Sequence, residues 1–136
     1  MTEATSPSSA TRSVVDASAV VRALVNLDGE AEAWLRTRVS WPTLIYAEVA
    51  HSMLRLCRNR VMTRNHASAV LDTLHTLRTD ARPVESLVQE AWGVALERKI
   101  SAYDACYVVL AEALDAPLVT ADRRLAAATA NAVLLT

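Results

Sequence analysis

The chain has 136 residues, with 14 Lys and Arg against 15 Asp and Glu, a formal charge of −1, and 52% hydrophobic residues. That length and composition fit one compact domain, able to bury roughly two-thirds of its unfolded surface without disulfide or metal staples. Balanced charge excludes a broad basic nucleic-acid surface as the leading feature, and no apolar run approaches a membrane span.

Cys57 and Cys106 lie inside apolar helical patterns and give no disulfide framework. Every basic residue except Lys99 is arginine. Arginine suits bidentate phosphate contacts, but a GC-rich coding sequence leaves the same bias and is the weightier cause. The opening "MTEATSPSSATRS" has neither the charged start nor the apolar middle of a signal peptide. It reads as a flexible tail over residues 1–12, before a single domain over residues 13–136, and the expected location is the cytoplasm.

In chain order, "SVVD" is a β-branched strand ending in Asp16, and "SAVVRALVN" follows with helical spacing until "LDGE" breaks it. "EAEAWLRTR" forms a second short helix, acids early and arginine late, as the helix dipole favours. "VSWP" is a brief strand stopped by Pro42. Thr43 then caps a long helix through "LIYAEVAHSMLRLCRN", with Ile45, Val49, Met53 and Leu56 as its apolar stripe. The spacing predicts another helix over about Thr63 to Arg78, with Val70, Leu71, Leu74 and Leu77 apolar, and a strand at "ARPVE". "SLVQEAWGVALERK" and Ser101–Leu114 are helical, Pro117–Thr120 is a strand, Arg123–Ala128 a short helix and "AVLL" a last strand. Strands alternating with helices, with no hairpin turn, predict an α/β fold: a three-layer α/β/α arrangement around a parallel sheet of four or five strands.

In open parallel sheets, ligands bind beyond the carboxyl ends of the strands. Asp16 ends the first strand, Asp122 follows "LVT", and Asp104 opens a helix facing the same edge. Glu48 lies on the flank of its helix stripe, about 100° around from Val49. Singly, each Asp reads as an N-cap and Glu48 as a solvated flank residue. Jointly, four carboxylates at one edge repel one another and raise their pKa values unless a cation neutralises them. Carboxylates are hard ligands suited to Mg²⁺ or Mn²⁺, ions that lower the pKa of bound water and clamp phosphodiester oxygens.

Four segments, "VVDASAVV", "PTLIYAEVAHSML", "YDACYVVLAE" and "PLVTADRRL", resemble successive signatures of the PIN-domain family, especially its VapC-type toxin branch, in family order over about Val14 to Leu134. The resemblance implies a cytoplasmic, Mg²⁺- or Mn²⁺-dependent ribonuclease, usually a homodimer, held inactive by a small antitoxin. It places the family's catalytic and metal-binding acids on Asp16, Glu48, Asp104 and Asp122. Ser18 and Thr120 fall on hydroxyl positions that orient acids or water. Asp115 stands where many relatives place Gly.

Other residues carry less. His51 lies one turn beyond Glu48 but suits a carboxylate-only site poorly, and His66 and His75 have no partnered ligand spacing. Arg55, Arg58, Arg60 and Arg64 read as a solvated surface, with RNA or antitoxin contact as alternatives. Trp34, Trp41 and Trp92 are too sparse for a stacking platform. Tyr103 and Tyr107 are expected to pack on the sheet, and Trp34 to meet an antitoxin. Two other classes remain open at this level: a PIN-like module that binds RNA or a partner without cleaving, and a phospho-accepting receiver domain, whose usual early acidic pair is absent.

Overall fold

The computed structural model describes residues 6–136. Five strands, β1 (Arg12–Val15), β2 (Arg38–Pro42), β3 (Asp80–Arg82), β4 (Leu118–Thr120) and β5 (Ala132–Leu134), form one sheet in the order β3-β2-β1-β4-β5. Every neighbouring pair is parallel. Between them run α1 (Ala17–Leu24), α2 (Gly29–Leu35), α3 (Leu44–Arg58), α4 (Arg64–Thr76), α5 (Val88–Arg98), α6 (Ala102–Ala113) and α7 (Arg123–Ala127). The sheet has the larger of the two expected strand counts. Of the tail expected over residues 1–12, the first five lie outside the described residues. Thr11 N donates to Ser8 O at 2.9 Å, and β1 begins at Arg12.

From β1 the chain steps outward through β2 to β3, then crosses back to β4 and β5. Parallel crossovers are right-handed, so the outward steps put α1–α4 on one face and the return puts α5–α7 on the other. Packing agrees: α1 rests on α2 and α3, and α3 on α4, while α6 packs on α5 and on β1, β2 and β4. The core lies between these layers. Val14, Val15, Leu118 and Val119 supply the sheet, Ile45 and Val49 come from α3, and every residue of α6 from Ala105 to Leu110 is buried. A satellite cluster of Met53, Met62, Ala67 and Val70 closes the α3–α4 hairpin.

Several local expectations shift. Thr43 precedes α3 but makes no cap hydrogen bond; its Oγ1 accepts instead from Val84 N at 3.2 Å, tying the end of β2 to the segment after β3. Strand β3 stops at Arg82. Pro83 has no N–H to offer the ladder, and Val84–Ser86 turn into 3₁₀ helix. Leu56 is only partly buried and belongs to the satellite cluster rather than the main core. Asp115, after α6, has φ of 50°, the left-handed region where Gly is unstrained and Asp is tolerated.

Leu118→Ala, at a fully buried position on a central strand, is expected to cost about 2–5 kcal/mol. Val61→Ala, at an exposed position between α3 and α4, should stay within about 0.5 kcal/mol. Urea unfolding of both variants checks the contrast.

Candidate active site

Strands β1 and β4 are neighbours, yet the chain leaves β1 toward one side of the sheet and β4 toward the other. Their carboxyl ends therefore form the switch point where a crevice opens in such sheets. The ladder sets Val15 beside Val119, so the next residues, Asp16 and Thr120, also meet. Asp16 is the N-cap of α1, only 5% exposed. Its Oδ1 accepts from Ala19 N at 3.0 Å and from Ser18 Oγ at 2.7 Å, and its Oδ2 from Thr120 Oγ1 at 2.6 Å.

Each hydroxyl has one hydrogen and gives it to Asp16. The 3.2 Å approach of Ser18 Oγ to Thr120 Oγ1 is therefore a contact between acceptors. Both oxygens accept in turn from the turn after β4: Ala121 N donates to Ser18 Oγ at 2.9 Å and Asp122 N to Thr120 Oγ1 at 3.0 Å. Two hydroxyls thus tie the first acid to the loop carrying the fourth.

Asp122 caps α7, with Oδ1 accepting from Arg124 N and Leu125 N. Asp104 is different. The cap of α6 is Ser101, whose Oγ accepts from Asp104 N at 3.0 Å. The expectation that Asp104 serves as a helix cap is thereby corrected: its carboxylate is free of that task, inside the first turn where the helix dipole favours an anion. Glu48, half-buried on α3, accepts at Oε1 from Tyr107 Oη at 2.6 Å. Tyr107 is buried, as expected from its place in an apolar helix, but its function beyond packing went unread. A buried phenol needs a partner, and its position one turn beyond Asp104 was the available signal.

The four acids feel one another. Burial raises the carboxyl pKa of Asp16 above its ordinary value; the hydroxyls of Thr120 and Ser18 and the Ala19 amide pull it back, and Asp104 adds to the rise. Glu48 is raised by burial, lowered by Tyr107, and raised again by Asp104 and Asp16. Asp104 is raised by burial and then by Asp122, against Ser101 and Arg124. Burial and Glu48 push the Tyr107 phenol far up, so it stays a donor. Among the described residues none of the four acids has an ion-pair partner. Nor do any three Asp, Glu, His or Cys groups close around a point that would hold a metal ion outright. These observations are compatible. Mg²⁺ keeps several waters and takes one or two carboxylates directly, so hard donors that repel across a gap without ion-pair partners fit it better than a closed cage would.

Beside Glu48 runs a groove of about 530 Å³, lined by Ala17, Leu44, His51, Arg55 and Tyr103 among others. Tyr103 is 64% exposed and faces this groove, which corrects its expected packing against the sheet. A residue at the second position of a helix whose buried face starts at Ala105 is carried outward. His51 and Arg55 share the groove, whereas His75 stacks on Tyr46 with centroids 5.3 Å apart and His66 is on the exposed side of α4. Arg58, Arg60 and Arg64 are exposed. Trp41 is fully buried, Trp34 packs at the edge of the core, and Trp92 is exposed.

The model of the PIN domain matches residues 13–131. The chain belongs to the PIN-domain family. Ribonuclease VapC9 of Mycobacterium tuberculosis is 40% identical over 113 residues, 82% of this chain and 87% of its own. Ribonuclease VapC1 of the same organism is 40% identical over 120 residues, 85% and 89% of the two chains. Among solved structures, PAE2754 from Pyrobaculum aerophilum superposes with a TM-score of 0.73 at 27% identity, over 91% of this PIN-domain chain and 83% of that one. VapBC2 from Rickettsia felis, solved with a fragment of promoter DNA, shares the fold at a TM-score of 0.65 and 15% identity, over 92% and 98% of the chains.

Tyr107→Phe removes the hydrogen bond that favours ionised Glu48, so Glu48 should titrate at higher pH than in the parent. Carboxyl-carbon NMR titration reads this directly, and an unmoved or lower midpoint contradicts the assignment. A second expectation concerns stability. Asp16, Glu48 and Asp104 are raised above their ordinary values of 3.8, 4.5 and 3.8, so the folded chain binds more protons than the unfolded one above those values. Their contribution is fully present below the ordinary values and is lost as pH rises through the raised ones. Asp28 and Glu112, lowered chiefly by hydrogen bonds from Arg22 and Arg98, act in the opposite sense, losing stability as pH falls. Asp104→Asn removes one raised group and relieves two others. Urea melts at about pH 5 and about pH 8 should show a smaller loss on alkalinisation in the variant.

Proposed function

We propose that this chain is a divalent-metal-dependent endoribonuclease acting as the toxin of a toxin–antitoxin pair in the cytoplasm. The observation that carries the reading is the buried Asp16 carboxylate, held by Ser18 and Thr120 at the sheet's switch point beside three more acids, none of them ion-paired among the described residues. Relatives at 40% identity over most of both chains are named ribonucleases, which supports the reaction class. The choice of Mg²⁺ or Mn²⁺ rests on the all-carboxylate donor set.

Asp16, Glu48, Asp104 and Asp122 are the residues that would hold the metal. When bound, the ion supplies a water of lowered pKa and positive charge against the oxygens of the phosphodiester. The chain's own contribution is to keep these carboxylates ionised and oriented. Ser18 and Thr120 fix the plane of Asp16, and Tyr107 fixes Glu48 while donating its proton to Oε1. Ser101 takes over the capping of α6, which leaves Asp104 for the site. The unneutralised acids repel phosphate when the metal is absent, so RNA engagement and metal loading are linked.

The antitoxin is a further part of the proposal. The groove of about 540 Å³ between α2 and β5, lined by Gly29, Glu30, Ala33, Trp34, Val133 and Leu134 together with Ser6, Pro7 and Thr136, is the surface offered to it. Val88, Trp92 and Leu96, exposed at helical spacing on α5, are offered to a second copy in a homodimer. A domain that binds RNA or a partner without cleaving is the alternative.

RNA cleavage by the full chain should require added Mg²⁺ or Mn²⁺ and stop on addition of EDTA. Ser18→Ala should lower the rate by about 10–100-fold, and Asp16→Asn by more, with both variants folded by circular dichroism. RNA binding without turnover under any divalent ion would establish the non-cleaving alternative.

A further inference from the structure

The amino-terminal edge of the sheet, at the opposite pole from the acids, carries a row of arginines. In the ladder Arg12 is the direct partner of Arg38. Ser40 pairs with Asp80, so two residues earlier Arg38 lies level with Arg78. Arg12, Arg38 and Arg78 therefore stand at one level across β1, β2 and the entry to β3, and all three line a cavity of about 320 Å³ with Val39, Ser40, Thr79 and Asp80. Like charges directly opposite one another across strands are destabilising. Among the described residues none of the three guanidiniums has an ion-pair partner. The one carboxylate in the cavity, Asp80, is engaged by Arg82 Nε at 2.8 Å and Ser40 Oγ at 3.3 Å.

We infer that this row is a phosphate-binding site. Guanidinium forks pair bidentately with phosphate oxygens, and a phosphate would turn the repulsion along the row into attraction. Adjacent strands are spaced about 4.8 Å apart, so the row spans about 10 Å, more than one phosphate covers. That length favours successive phosphates of a nucleic-acid strand over a single free ion. In a chain of formal charge −1 this local excess is not a by-product of a basic composition. The carboxyl edge, rich in uncompensated acids, repels the same polyanion, so the row gives a strand a hold that does not depend on metal at the other pole.

The test is binding of a fluorescent single-stranded RNA to the full chain in EDTA, where cleavage does not intervene and the catalytic proposal is not at issue. Replacing all three residues with Gln (R12Q/R38Q/R78Q) should weaken binding at least about tenfold and flatten the dependence of log affinity on log salt by about 2. Arg64→Gln, an equally exposed arginine on α4, should change the slope by less than about 0.7, one phosphate contact. Because the triple variant removes like-charge repulsion, its melting temperature should equal or exceed the parent's. If it does not fold, Arg38→Lys, which keeps the charge and loses the fork, should still weaken binding measurably. A second arm titrates inorganic phosphate and a nucleoside monophosphate, followed by NMR of the arginine Nε–H signals. Saturation there with unchanged RNA affinity in the triple variant would keep the phosphate site and assign it to a small ligand. Unchanged affinity and slope with no phosphate response would overturn the inference, as would an acidic peptide that occupies the row where phosphate does not.

Discussion

Everything at the carboxyl edge depends on keeping one buried carboxylate, Asp16, ionisable. Burial opposes its charge, and three hydrogen bonds, from Thr120, Ser18 and Ala19, offset part of that opposition. The donors come from two distant parts of the chain, so β1 must pair with β4 in one register for them to meet. A slip of a single residue would turn Asp16 to the other face of the sheet and separate it from Thr120. The parallel ladder thereby sets the electrostatics of the crevice as well as the core.

A helix cap and a site residue are often the same acid, and here the two roles separate unevenly. Asp16 and Asp122 accept backbone N–H bonds at helix starts while standing among the acids. Asp104 is relieved of capping by Ser101, and Glu48 lies well inside a helix. An acid that caps has some of its lone pairs committed to backbone N–H groups, whereas Glu48 commits one oxygen to Tyr107. Both kinds contribute to the repulsion: Asp104 raises Asp16 and Glu48, Asp16 raises Glu48, and Asp122 raises Asp104.

Charge is also sorted along the strand direction. Asp16 and Asp122 follow the ends of β1 and β4, Arg12 and Arg38 open β1 and β2, and the near-neutral total conceals that separation. A strand of four residues spans only about 13 Å, so the two poles are close enough for one extended polyanion to sense both, attracted at one and repelled at the other. Composition counts charges without their positions and could not reveal this.

Much was legible in the residues alone. Apolar spacing places the helices and the short strands in order, because burial of one face is written in spacing. The family motifs mark Asp16, Glu48, Asp104 and Asp122. Element ends were less legible: Pro83 cut β3 short and Thr43 turned its hydroxyl toward Val84, since both outcomes depend on what lies beside them. By itself the sequence determined the alternation of strands and helices, the absence of hairpins and the presence of acids at segment ends, all consequences of local spacing and chemistry. Only the tertiary structure decided that Tyr107 reaches Glu48, that Tyr103 faces outward, that Ser101 frees Asp104, and that Arg12, Arg38 and Arg78 share one level. Each of these joins residues through strand register or helix rotation, and no local pattern encodes which distant group will be the neighbour.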